Sequence, residues 1–272
     1  MTEKIETDVE DEVEASRAPL MEHLIELRTR LIRLVIALII GFVVCFVFAE
    51  QIYNFLLVPF EDAAARVRDN DLGLELIFTA PLEYFFVQVK LALFGALILA
   101  FPWLAYEIFS FVSPGLYKNE RGAFAPFLLG APALFLAGMS FVYYFVLRFV
   151  MRFALSQEQL GGENSVSIQL LTRVSDYLNL VTTLILAFGL SFQLPVLLML
   201  LGGAGIVNSK QLISSWKFAL VGIFLFAAFV TPPDPISQLI LGSVLMGLYG
   251  ISIAGVRMVE KRKQPTAADV ES

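Results

Sequence analysis

The chain has 272 residues, 58% of them hydrophobic and 16% charged, against ~45–50% and ~25% in soluble domains, which excludes a water-soluble fold of this size. Its 25 acids and 19 bases leave a net charge of −6. Seven of those acids (Glu3, Glu6, Asp8, Glu10, Asp11, Glu12 and Glu14) stand at the start of the chain beside Lys4 alone, and the remainder is balanced. The acidity therefore belongs to a tail, and nothing in the balance attracts nucleic acid.

Residues 1–18 combine low hydrophobicity with no periodicity, which predicts a disordered acidic head. Their negative charge is also wrong for a secretory signal or transit peptide. From Pro19 the pattern changes: Leu20, Met21, Leu24, Ile25, Leu27 and Leu31 form a helical stripe opposite Glu22, Glu26, Arg30 and Arg33. This predicts an amphipathic helix at a membrane surface that runs into the first span. Within it Glu26 and Arg30 have the favoured acid-before-base spacing of four residues.

A bilayer core of ~30 Å needs about 20 apolar residues per helix. Six runs approach this: Leu31 to Ala49, Leu82 to Phe111, Phe124 to Val150, Tyr177 to Leu201, Leu212 to Val230 and Ile236 to Val256. The second is long and is expected to bend at Pro102. The fifth is interrupted by Lys217 and the sixth carries Gly242, Gly247, Gly250 and Gly255, so the last two helices are expected to be short and the bilayer thin beside them. The predicted fold is thus an all-α polytopic membrane protein with six transmembrane helices in one domain, residues 19–256. A tail over 257–272 follows, opening with the basic cluster Arg257, Lys261, Arg262 and Lys263.

Six spans place both termini on one side. The head, the tail and the loops after runs two and four carry thirteen Lys and Arg, against five around the two long loops near 50–81 and 151–176. The excess of bases predicts that both termini are cytoplasmic. Lys90 lies inside run two and is expected to snorkel outward.

Several functions are excluded by residue type. Cys45 is the only cysteine and His23 the only histidine, which leaves no disulfide, no cysteine zinc site and no H-E-x-x-H protease motif. No phosphate-loop motif is present, and Gly202, Gly203 and Gly205 lack the spacing and βαβ setting of a dinucleotide fingerprint. The expectation is a non-enzyme with neither cofactor nor metal. A small-solute transporter would call for matched broken helices or midplane charges, and no internal repeat supports it. An intramembrane hydrolase lacks a nucleophile motif and a deep histidine.

Four segments are more specific: His23 to Leu31 (HLIELRTRL), Phe111 to Arg121 (FVSPGLYKNER), Phe188 to Val196 (FGLSFQLPV) and Thr231 to Asp234 (TPPD). Together, in this order, they resemble the TatC family, the core subunit of the twin-arginine (Sec-independent) protein translocase. The resemblance covers nearly all of residues 20 to 258. It implies a multi-pass protein of the cytoplasmic (inner) membrane that binds twin-arginine signal peptides of folded precursors at its cytoplasmic face. It further implies an oligomer with single-span TatA-like and TatB-like subunits that moves cargo on the proton motive force.

On the same resemblance, Glu120 is the principal carboxylate for the signal's arginines, with Glu26 second and Phe111 beside them. Pro114, Leu116, Tyr117, Arg121 and Arg28 complete the implied signal-binding set, although loop shaping explains Pro114 and Tyr117 and a headgroup anchor explains Arg28 more simply. The chemistry suits the assignment, because a guanidinium engages a carboxylate through two parallel hydrogen bonds whereas lysine is a hydrated point charge. Gln193 departs from the family, where an acid is frequent; it keeps hydrogen-bonding reach without charge. Two readings stay open there, a contact to a partner's helix and glue within this chain. Asp234 is read as a structural cap for the following helix, and the resemblance implies that Pro59 and Pro102, which align with family prolines, set bends.

Overall fold

The computed structural model describes residues 2–67, 76–112, 121–158, 171–231 and 235–263. Among them the fold is all-helical: α1 (Thr2–Val47), α2 (Ala49–Val67), α3 (Glu83–Val112), α4 (Arg121–Phe141), a π-helical turn (Val142–Val146), α5 (Leu147–Ser156), α6 (Val174–Ser191), α7 (Leu194–Gly203), α8 (Ser209–Ser214), α9 (Trp216–Val230) and α10 (Pro235–Lys263). Five helical stretches are long and apolar enough to cross a bilayer: Leu24–Val47, Glu83–Ile108, Leu129–Ser156, Val174–Gly203 and Ser237–Lys261. The chain is a polytopic membrane protein. The remaining candidate, α9, has 15 residues, below the ~20 a full span needs.

Two expectations are revised. Helix α1 runs from Thr2; glutamate, alanine and lysine favour helix, and acids near an N-terminus complement the helix dipole. The last two helices are not both short, because α10 has 29 residues and continues past Val256 into the expected tail. Two of its glycines are packing positions, Gly242 against the ring of Phe224 and Gly255 against the thioether of Met199, while Gly247 and Gly250 face open space. Finally, the loop near 50–81 opens with a 19-residue helix, α2.

Helix α2 has an amphipathic logic. Leu56, Phe60, Ala63 and Ala64 fall on one face and are buried, the spacing of a stripe that packs on a core. That face lies over α5 and α3, in a core shared with Val142, Leu147, Leu155, Tyr177 and Leu184. Arg148 on α5 bonds Asp62 on α2 at 2.9 Å. Pro59 sits inside α2, and the carbonyl it deprives of a donor, that of Phe55, accepts the Tyr143 hydroxyl at 2.8 Å. The neighbouring Leu56 carbonyl accepts the hydroxyl of buried Tyr177 at 2.7 Å.

The strongest interhelical seam joins α1 to α3. Gly41 and Cys45 on α1 and Ala49 at the start of α2 recur every four residues, as Ala92, Ala96 and Ala100 do on α3, and all six are buried. Small residues let antiparallel helices approach closely where lipid gives no hydrophobic drive. A Cβ added to Gly41 would meet the Ala96 backbone at 3.2 Å, and one on Gly95 would meet Cys45 Sγ at 2.7 Å. Cys45 is thus a packing residue.

Gly95→Ala should destabilise the protein by about 1–3 kcal/mol through overpacking. Because the obstructing atom is the thiol, Cys45→Ala in the same chain should restore part of the loss. Thermal unfolding of the detergent-solubilised protein measures both, and an unchanged midpoint for Gly95→Ala would refute the seam.

Candidate functional site

The end of the bundle where α3 finishes beside the middle turns of α1 carries the densest charge cluster among the described residues. Arg30 is its centre. Nη1 donates to the Glu107 carbonyl at 2.8 Å and Nη2 to the Ser110 carbonyl at 3.2 Å. These are carbonyls of the last turns of α3, which lack donors within the helix or share them. Nη2 also donates to Glu26 Oε1, the pair predicted from spacing. Nε of Arg30 stands 3.9 Å from Glu107 Oε2, and Arg33 Nη1 stands 3.2 Å from Glu107 Oε1.

Exposure separates the members. The Arg30 and Glu107 side chains retain 13% and 7% of their accessible surface, whereas Glu26 retains 44%. Arg30 is therefore fixed against α3, and it holds one oxygen of a carboxylate whose other oxygen, Oε2, has no bonded partner among the described residues. A second guanidinium could dock on that open oxygen. Phe111 lies in the final turn of α3 and Arg121 opens α4, so both belong to this end of the fold. Arg28 is exposed on α1. Pro114, Leu116, Tyr117 and Glu120 lie outside the described residues, as does Asp234.

A family model described as Sec-independent protein translocase protein (TatC) matches residues 22–243. The chain is 41% identical to the Sec-independent protein translocase protein TatC of Magnetococcus marinus over 256 residues, 94% of this chain and 90% of the relative. It is 39% identical to the protein of the same description from Rickettsia prowazekii over 239 residues, 88% of this chain and 92% of the relative. A solved structure titled as the twin arginine translocase receptor TatC superposes with a TM-score of 0.74 at 34% identity, covering 88% of this chain and 99% of the other. The chain belongs to the TatC family.

Of the four segments that carry the TatC resemblance, two lie in described helices. Residues 23–31 sit in α1, and 188–196 straddle the break between α6 and α7. At that break Gln193 caps α7 ahead of Pro195, and its side-chain Nε2 donates to the Ala131 carbonyl on α4 at 2.9 Å. Within the chain, then, the amide joins α7 to α4. Lys90 does not simply snorkel: its Nζ donates to Asn179 Oδ1 on α6 at 2.9 Å. Pro102 is accommodated inside the 30-residue α3.

Glu107 escaped the sequence reading although its signal was present. A lone acid inside an apolar run, Tyr106-Glu107-Ile108, is costly in a membrane and implies a partner or a role. At the opposite end, Glu83 joins the starts of α3 and α6. Oε1 accepts the Ser175 hydroxyl at 2.6 Å, and Oε2 accepts the Thr79 amide at 2.8 Å. No group of three or more His, Cys, Asp or Glu able to hold a metal occurs among the described residues.

Arg30→Lys tests the clasp. A lysine cannot serve two carbonyls and a carboxylate from one planar fork, so the substitution should cost about 1.5–3 kcal/mol, the range for hydrogen bonds to charged groups. A thermal midpoint equal to that of the unsubstituted protein would show that the α1–α3 contact does not depend on the fork.

Proposed function

We infer that the chain is the TatC-type receptor core of a twin-arginine translocase. In this reading, folded precursors carrying twin-arginine signals dock at the end of the bundle formed by α1 and α3, and no covalent chemistry is involved. The observation that carries the reading is Glu26, a half-exposed carboxylate braced by a nearly buried guanidinium. Exposed ion pairs contribute about 0–1 kcal/mol, too little to separate arginine from lysine. A carboxylate held by Arg30 has lost its freedom before the signal arrives, so less of the binding energy is spent on ordering it. Glu120 supplies the first contact and Glu26 the second, with Phe111, Pro114, Leu116, Tyr117, Arg121 and Arg28 lining the approach.

The same reading has six crossings and both termini in the cytoplasm. A 15-residue α9 spans about 22 Å at ~1.5 Å per residue, so the bilayer thins beside it or the helix draws in headgroups. Basic residues grouped at the termini end support the orientation. Single-span TatA-like and TatB-like subunits assemble around this core in the inner membrane, and the proton motive force drives transport. Gln193 contributes to that assembly by offering its carbonyl oxygen to a polar group on a partner's helix while its Nε2 stays on Ala131.

A photo-crosslinker placed beside Glu120 should label a twin-arginine precursor strongly and its twin-lysine variant weakly, and Glu120→Gln should erase the difference. Equal labelling of both precursors, unaffected by the substitution, would end the recognition reading. Gln193→Leu should reduce co-purification of a single-span partner while signal labelling persists. Undiminished co-purification would remove Gln193 from the assembly.

A further inference from the structure

Glu107 has no part in the reading above, yet its placement is costly. Its carboxylate is 7% exposed, and Oε1 accepts no aligned hydrogen bond among the described residues although Arg33 Nη1 is 3.2 Å away. A buried ion pair is a poor stabiliser compared with apolar residues of similar volume. Joining α1 to α3 does not require it either, because the small-residue seam and the two carbonyls on Arg30 already do so.

Local charge gives it a purpose. From Glu26 to Arg33, α1 carries one acid and three bases, Arg28, Arg30 and Arg33. A site with that surplus would repel an incoming pair of arginines. Glu107 reaches α1 from α3 and faces two of the three bases, so the cluster of Glu26, Arg30, Arg33 and Glu107 holds two acids and two bases. Its low exposure matters, because water screens a buried counter-charge far less than a surface one.

We propose that Glu107 is a positioning residue for signal recognition. It offsets Arg30 and Arg33 from behind and holds Arg30 in place, so that Glu26 meets an arriving guanidinium where the local surplus of bases is one instead of two. This rests on the reading of Glu26 as a signal contact. The role is electrostatic, and charge compensation therefore distinguishes it from a purely structural one.

The test uses the full chain in membranes with its partner subunits, a photo-crosslinker beside Glu120, and a twin-arginine precursor with its twin-lysine variant as probes. Glu107→Gln keeps the shape and leaves one uncompensated base; labelling by the twin-arginine precursor should fall about fivefold, as expected for like charges brought together. Adding Arg33→Gln to Glu107→Gln restores the balance and should return labelling to within about twofold of the original. Arg33→Gln alone should label at least as well as the unsubstituted protein. If Glu107→Gln fails to accumulate, the double variant and Arg33→Gln carry the test.

The proposal is overturned by undiminished labelling in Glu107→Gln, by a double variant no better than the single, or by a loss in Arg33→Gln alone. Glu26→Gln and Glu120→Gln run alongside. If neither lowers labelling, the recognition reading itself fails. If they lower it and Glu107→Gln does not, only the role of Glu107 falls.

Discussion

Hydrocarbon offers no hydrogen bonds, so each backbone group inside the membrane must find its partner within the protein. The structure meets this demand where proline and helix ends would leave groups open. The Phe55 carbonyl, deprived of a donor by Pro59, receives the Tyr143 hydroxyl. Carbonyls near the end of α3 receive Arg30, and the start of α8 receives Glu260, whose carboxylate accepts both the amide and the hydroxyl of Ser209. Each repair also joins two helices. The solvent's refusal to bond is thus converted into tertiary structure, while Ser191, Thr231 and Ser252 in the core bond back to carbonyls four residues earlier.

Much of this was legible in the sequence. Apolar runs located the five long spans, although the first begins at Leu24 and not Leu31 and the last continues past Val256 to Lys261, because a span is a length requirement before it is anything else. The Glu26–Arg30 pair followed from helical spacing alone. What the sequence concealed was arrangement across elements. Helix α2 is hidden in the sequence because Glu50, Glu61 and Asp62 give it the polarity of a loop, while two of the four residues on its buried face, Ala63 and Ala64 beside Leu56 and Phe60, are small. The glycines of α10 suggested looseness, since a missing side chain reads the same whether the space is empty or filled by a neighbour. Here Phe224 and Met199 fill it at Gly242 and Gly255, and it stays open at Gly247 and Gly250.

The candidate site divides in the same way. Its half on α1 could be read from one helix, whereas Glu107 acquires meaning only when α3 is laid against α1. Averaged over an apolar run of thirty residues, one carboxylate hardly changes the hydropathy. Set between Arg30 and Arg33 it halves the local surplus of positive charge. The overall charge of −6 describes neither fact, since it is dominated by the head of α1.

The π-helical turn at Val142–Val146 lets one continuous rod serve two different neighbours. Before it, α4 packs on α6; after it, α5 packs on α2. A π turn holds one residue more than the α-helix would, and one residue corresponds to about 100° of rotation around the axis. The extra residue therefore acts as a phase shifter, rotating the face that follows so that Arg148 reaches Asp62 while Gly138 still accepts the Phe188 backbone. Deleting a single residue there would leave the hydropathy profile and the length of the span almost unaltered, yet would turn the downstream half away from α2. In this segment the count of residues, as much as their identity, is under structural constraint.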